Sequence, residues 1–407
     1  MRNGLAAETS GNSSAGNTVL YLHFVKNPVM HGRFLDGMRR FARTAGWNVV
    51  PLQIDGLSQD QIRDFARKNG AIGYVRDSGW PKEMRRELPL SALRLPVVFE
   101  DPRESVLDRH VGAVFSDNAA IAKAAFRELS AGHPPSYAAV GYWDHTQRWG
   151  VERIAAFRSF CAEAGFDCPV FRQSRREPAE KRMKRLEKWV AALPEHVAVF
   201  CANDFTAIET AIALRSRHRP VPKSATVVGV DGSPERDDIV RSPVPISSVN
   251  VNFESAGFHA ARLLAEEIAA RAAGARPAAR TAVFGPLMVE RRESTHGRGR
   301  RERFILEAAE TIRREACNGL TAAALAARFP VSRKHFERRF REAIGHSVLD
   351  EILNVRLESV MAYLLRRDVA IDAIAGLCGF GSEIELRRLF RRRFGMSMTS
   401  WRARNST

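Results

Sequence analysis

The 407-residue chain is poor in the features that most catalytic and covalent frameworks need. Cysteine occurs five times, with no C-x-x-C pair, so neither a disulfide scaffold nor a zinc site is indicated. Cys161, Cys201, Cys317 and Cys378 stand in apolar helix or strand patterns and are expected to fill cores. No run approaches eighteen uninterrupted apolar residues, the length of a membrane-spanning helix. The opening MRNGLAAETSGNSSAGN lacks the apolar centre of a signal peptide, and residues 1–17 are expected to form a disordered arm. The compartment implied is the cytoplasm. The chain has no G-x-S-x-G, H-E-x-x-H, P-loop or G-x-G-x-x-G, and His23, His31 and His145 lack metal-ligand spacing. No enzyme, metal or cofactor is therefore expected. Acidic residues are also short in number. Against 63 Lys and Arg stand 46 Asp and Glu, a net charge of +17, which favours a polyanionic partner.

The last hundred residues carry one architecture twice, as TAAALAARFPVSRKHFERRFREAIG and as IDAIAGLCGFGSEIELRRLFRRRFG. In each, a short apolar helix meets a tight turn, a serine opens a second helix, and a glycine closes it. Ser332 and Ser382 are expected N-caps, and Ser382 with Glu385 has capping-box spacing. Phe336 and Phe340, then Leu386, Phe390 and Phe394, recur every four residues and make an inward stripe. Lys334, Glu337, Arg338 and Arg341 lie opposite the first stripe, and Arg387, Arg388 and Arg391 are displayed by the second helix. Such helix-turn-helix units enter the major groove of double-stranded DNA. Between them, Leu349, Leu353, Leu357, Val360, Met361 and Leu364 predict a helix of some twenty residues, roughly 30 Å long. That length suits reading helices about 34 Å apart, one DNA turn. The competing reading is a helical bundle with a cationic, solvated face. The 50-residue interval from Ser332 to Ser382 favours the paired motif.

Residues 300–404 resemble the AraC family of transcription regulators through VSRKHFERRFREAIG, IDAIAGLCGF and FRRRFGMSMTSWR. Met398 replaces the family's usual proline and Leu386 a usual aromatic; both are expected to be packing variants. The resemblance places Lys334, Glu337 and Arg338 in one major groove, and Glu383, Ile384, Arg387 and Arg388 in the next.

From Thr18 the chain alternates strand-like runs (TVLYLHF, WNVVPL, AIGYVR, LPVVFE, VGAVFS, SYAAVGYW, HVAVFCAN, ATVVGVD) with helical ones, and AVFGPLMVERR is read as one closing strand. That order specifies parallel α/β sheets, and nearly 280 residues imply two lobes. Ligands bind such sheets at the carboxyl ends of their strands. There stand Asp117 with Asn118, Asn203 with Asp204, and Asp231, with Arg153 in the first turns of a helix flanked by Trp143 and Trp149. Carboxylate, amide, guanidinium and aromatic faces together suit a neutral polyhydroxylated ligand. Asp204 and Asp231 equally suit capping roles, and Arg153 a solvated helix position.

HGRFLDGMRRFAR, AVFSDN, WGVERIAAF, CANDFTA, VPKSATVVGVD and SSVNVNFESAGFHAARLL resemble the periplasmic-binding-protein-like sensors of LacI-type regulators. The order of parts resembles the xylose-operon-regulator type, in which an AraC-type domain follows such a sensor. The organisation implied is an arm (1–17), a two-lobed sensor (18–292), a cationic hinge-like linker (293–302) and an all-α DNA-binding domain (303–404). The resemblance implies a transcription regulator, an activator, controlled by a monosaccharide such as the pentose D-xylose. It implies contacts from Asp117, Arg153, Asn203 or Asp204, and Asp231, with lobe closure bringing Asp117 and Arg153 against Asn203 and Asp231. It further implies a homodimer that engages RNA polymerase and no membrane. A sensor responding to a non-sugar ligand, or to none, is the alternative.

Overall fold

The computed structural model describes residues 16–23, 28–77, 93–102, 112–142, 148–173, 177–232, 242–275, 280–295, 303–366 and 368–405. Most of the expected arm, Trp143, His145 and linker residues 296–302 lie outside them. The α/β region forms two six-stranded sheets. The first holds β1 (Thr18–His23), β2 (Asn48–Gln53), β3 (Ala71–Arg76), β4 (Val97–Glu100), β5 (Gly112–Ser116) and β11 (Thr281–Phe284), in the order β11-β5-β4-β3-β1-β2. The second holds β6 (Ser136–Tyr142), β7 (Val170–Gln173), β8 (Val197–Cys201), β9 (Ala225–Val230), β10 (Ser247–Val251) and β12 (Pro286–Glu290), in the order β12-β10-β9-β8-β6-β7. Every described pairing is parallel except β12 against β10. Central strands such as β8, VAVFC, are buried on both faces, as parallel sheets require.

The expected closing strand is two strands. β11 completes the first lobe and β12 the second, with Gly285 between them. This is one of three passages between lobes; the others follow β5 at Asp117 and β10 at Asn252. All three run side by side. Asp117 N–H donates to Phe284 O at 2.7 Å, and Asn252 N–H to Gly285 O at 3.0 Å. Asp117 and Asn252 each cap the next helix, α3 (Asn118–Ser130) and α7 (Phe253–Ala272). Three parallel passages make a hinge.

In the first lobe α1 (Pro28–Ala45) crosses α7, and α2 (Gln59–Lys68) lies near β3. In the second, α3 packs on α4 (Arg148–Glu163), and α5 (Ala179–Ala191) on α6 (Asp204–Ser216). The sequence pattern had not marked β7, β10, α2 or α5. SSVNV of β10 looks like a polar loop, yet Ser247, Ser248 and Asn250 are fully buried because distant groups satisfy them. Ser248 donates to Asp204 at 2.6 Å and Ser294 to Val227 O at 2.6 Å.

The hinge-like linker is corrected at its start. Glu293–Thr295 form a 3₁₀ turn with Ser294 and Thr295 buried against the second lobe. The C-terminal domain comprises α8 (Arg303–Glu315), α9 (Ala322–Ala326), α10 (Arg333–Ile344), α11 (Val348–Leu364), α12 (Ile374–Leu377), α13 (Glu383–Phe394) and α14 (Met398–Asn405). Phe336 and Phe340 enter one core, Leu386, Phe390, Met398 and Trp401 another, and α11 contributes to both. Met398 and Leu386 therefore pack as expected. Of the apolar residues that predict α11, Leu349 points to solvent.

Candidate functional site: an interlobe cleft and two reading helices

Arg153 lies one turn into α4 and is almost completely buried, held over the Trp149 ring at 4.8 Å. Its Nε donates to Asn118 Oδ1 at 3.0 Å, and its Nη1 to Ala202 O at 2.9 Å and Asp231 Oδ1 at 3.2 Å. A guanidinium held by three acceptors at strand ends excludes the solvated reading. Asp231 has φ +104, a region that non-glycine residues avoid and that concentrates at functional sites. Burial raises the Asp231 carboxyl above its usual range, while Arg153 pulls it back. Arg153, Asp231 and Asn203 all belong to the second lobe, so lobe closure is not what brings Arg153 to Asp231.

Asn118 connects this lobe to the first. Ser116 Oγ donates to Asp101 Oδ2 at 2.6 Å and lies 3.1 Å from Asn118 Oδ1, and Asn118 Nδ2 donates to Glu152 at 2.8 Å. Asp101 follows β4 directly after buried Glu100. Burial raises both carboxyls, and Asp77 and Asp101 push Glu100 further the same way. The first lobe thus presents acceptors to the cleft and the second presents a cation.

The other expected residues act from the wall. Asp117 Oδ1 caps α3 at Ala120 N–H, 2.8 Å away. Asn203 caps α6 in a capping box with Thr206. Asp204 accepts from Ser248, whose Oγ also accepts from Gly232 N–H at 3.0 Å, so Asp204 supports the turn that aims Asp231. Gly229 is required there, since a Cβ would sit 2.2 Å from Asp204 Oδ1. Asp101, Ser116, Asn118 and Glu152 were missed as a network. The motif AVFSDN held the signal for Ser116 and Asn118, but nothing local links them to Asp101.

In the C-terminal domain Ser332 accepts from His335 N–H at 3.3 Å and Ser382 from Glu385 N–H at 3.2 Å. The capping box expected at Ser382 forms only this half. Gly345 and Gly395 close α10 and α13 in the left-handed region, at φ +93 and +72. Lys334, Arg338, Ile384, Arg387 and Arg388 are exposed, while Glu337 and Glu383 are half-buried. Several are paired along their own helices: Arg333–Glu337 at 2.8 Å, Arg338–Glu342 at 3.1 Å, Arg387–Glu383 at 2.5 Å. Exposed pairs of this kind contribute about 0.3–0.5 kcal/mol, so DNA can exchange them cheaply.

The C-terminal domain is docked on both lobes. Arg40 of α1 reaches Glu358 of α11 at 2.8 Å and Glu254 of α7 at 3.4 Å, and Arg313 of α8 meets Glu254 at 2.6 Å. Ala362 and Leu365 join the sensor's core, and Met288 of β12 is buried in the core of the first helix-turn-helix unit.

Two family models match: a periplasmic binding protein-like domain over residues 129–295 and a helix-turn-helix domain over 325–404. The chain is 26% identical over 399 residues to the xylose operon regulatory protein of Escherichia coli strain K12, covering 95% of this chain and 97% of that one. It is 22% identical over 298 residues to the protein of that name from Haemophilus influenzae, covering 72% and 75%. The solved structure of a xylose-binding transcription activator superposes with a TM-score of 0.56 at 22% identity, covering 96% of this chain and 98% of that one.

Proposed function

We propose that this chain, a periplasmic-binding-protein-like domain followed by a helix-turn-helix domain, is a transcription regulator of the AraC type whose sequence-specific DNA binding is controlled by a monosaccharide, a pentose such as D-xylose, bound between the lobes. The observation that carries this is the buried Arg153–Asp231 pair with Asn118 at the hinge. It offers charge-assisted donors and acceptors to neutral hydroxyls. In this reading Arg153 and Asp231 touch the ligand, while Asp117, Asn203 and Asp204 hold the frame. The name of the Escherichia coli relative supports a xylose ligand. The test is calorimetric titration of the full chain with pentoses, hexoses and polyols; if none binds below millimolar concentration, the sensor reading fails and the DNA reading stands.

Lobe closure supplies the differential affinity that a ligand needs in order to shift an equilibrium. Because the C-terminal domain grips α1 and α7 of one lobe and β12 of the other, closure shifts the platform under both reading helices. The working form in this proposal is a homodimer that activates through RNA polymerase, and no catalytic step is involved. Lys334, Glu337 and Arg338 read one major groove; Glu383, Ile384, Arg387 and Arg388 read the next. Replacing Arg338 or Arg388 with alanine is expected to cost about 1–3 kcal/mol and to relax preference at one base position. Binding measured against single-base operator variants checks this: a loss equal on every sequence makes the residue a phosphate contact instead.

A further inference from the structure

A crevice of about 840 Å³ separates α10 from the second lobe, at the end of that lobe remote from the sugar cleft. Its sensor wall comes from the segments that lead into β6, β8 and β9, including His133, His196 and Lys223, with Arg291 beyond β12. The Arg153–Asp231 site lies at the carboxyl ends of the same strands, roughly 20 Å away along six residues of β9. The opposite wall is α10 itself, through Arg338 and Arg339. Among the described residues, four cations therefore line the space against one carboxylate, Glu128. That carboxylate is already engaged, by Arg291 Nε at 2.6 Å and Thr295 Oγ1 at 3.1 Å. Glu342 of α10 pairs with both Arg338 and Arg339. The space between sensor and reading helix is cationic on both sides.

We propose that the sensor's own rim, through Lys223 with His133 and His196, is a DNA-binding surface that takes the phosphate backbone flanking the groove read by α10. The inference rests on the reading of α10 as a groove-entering helix. Arg338 is both the expected base contact and a wall of the crevice, so a duplex that admits Arg338 brings its backbone to the sensor rim. A row of phosphates is the anion that fits an open crevice walled by cations. The sensor then contributes to affinity directly as well as by moving the helices.

The experiment uses full-length protein and the duplex that the wild type selects from a random library. Affinity is measured from low to moderate salt for wild type, Lys223→Ala, Lys223→Glu and His133→Gln/His196→Gln. The slope of log affinity against log salt is expected to become shallower by about 0.9 for each phosphate that the variant no longer neutralises. Lys223→Glu is expected to bind about tenfold more weakly at low salt, with base preference and sugar titration unchanged. An unchanged slope in all three variants overturns the proposal. So does tighter binding by Lys223→Glu, which would show that the rim covers α10. If the wild type selects no duplex, the DNA-binding reading falls and this inference with it.

Discussion

Arg153→Ala is expected to abolish sugar binding and to destabilise the sensor by about 3–5 kcal/mol, because it strips the cation from a buried pair. Arg153 and the Asp231 side chain are almost wholly enclosed, and Arg153 is the charged partner seen on Asp231 among the described residues. Without it, the burial that already raises the Asp231 carboxyl acts unopposed, and its pKa climbs further. The sign of the pH dependence follows. A carboxyl whose folded pKa is raised favours the folded state below its unfolded value, and that contribution is lost as pH rises through the folded value. The deficit of Arg153→Ala against wild type should therefore be largest at neutral pH and shrink on acidification. Asp231→Asn in the same background should remove the pH-dependent part. Thermal unfolding across pH, with calorimetry for the sugar, measures both. A variant that binds sugar like wild type, or a deficit that grows in acid, defeats the assignment.

The sequence displayed what is periodic and hid what is convergent. Phe336, Phe340, Leu386 and Phe390 announce their burial by four-residue spacing, and the caps at Ser332 and Ser382 by the residues that follow, so the paired units were legible. Strand ends were legible too, because an apolar run stopping at Asp231 or Asn203 marks the rim of a parallel sheet. What each polar group does at that rim was not. Asp117 and Asn203 spend their side chains on caps, while Asn118, one residue further, meets Arg153. β10 escaped notice because Ser247 and Ser248 are satisfied by Ser294 and Asp204, some 45 residues away. The split between β11 and β12 turns on Gly285, where composition changes little although the chain changes lobe. The docking of the C-terminal domain was equally invisible. Arg40, Glu254, Glu358 and Arg313 each look like a solvated helix charge until four segments meet.

The crossing of α1 and α7 should be the least tolerant point of the sensor. A Cβ added at Gly37 would sit 1.8 Å from Glu254 O, and one at Gly257 would sit 1.8 Å from Phe34 O. Each helix thus rests its main chain on the other's glycine. Backbone cannot rotate aside as a side chain can, so Gly37→Ala or Gly257→Ala must push the helices apart. Overpacking of this kind costs about 1–3 kcal/mol and occasionally more, and the upper end is expected here. A loss of about 3 kcal/mol lowers Tm by about 6–12 °C in a domain of this size. Gly32→Ala is the internal control. It lies in the same helix with nothing within 4 Å, and helix propensity should make it neutral or stabilising by up to about 1 kcal/mol. The damage should also travel. Phe41 stacks edge-on against Phe258 across the crossing, and Arg40 sits 4.4 Å over the Phe258 ring while pairing with Glu254 and Glu358. Spreading the helices therefore loosens the anchor of α11, and with it the link from the lobes to both reading helices. Gly37→Ala should weaken the effect of sugar on DNA affinity by more than its loss of sugar affinity accounts for. If Gly37→Ala unfolds at the same temperature as Gly32→Ala, the close crossing is not a constraint. If it is destabilised yet responds to sugar like wild type, α1 does not carry the coupling.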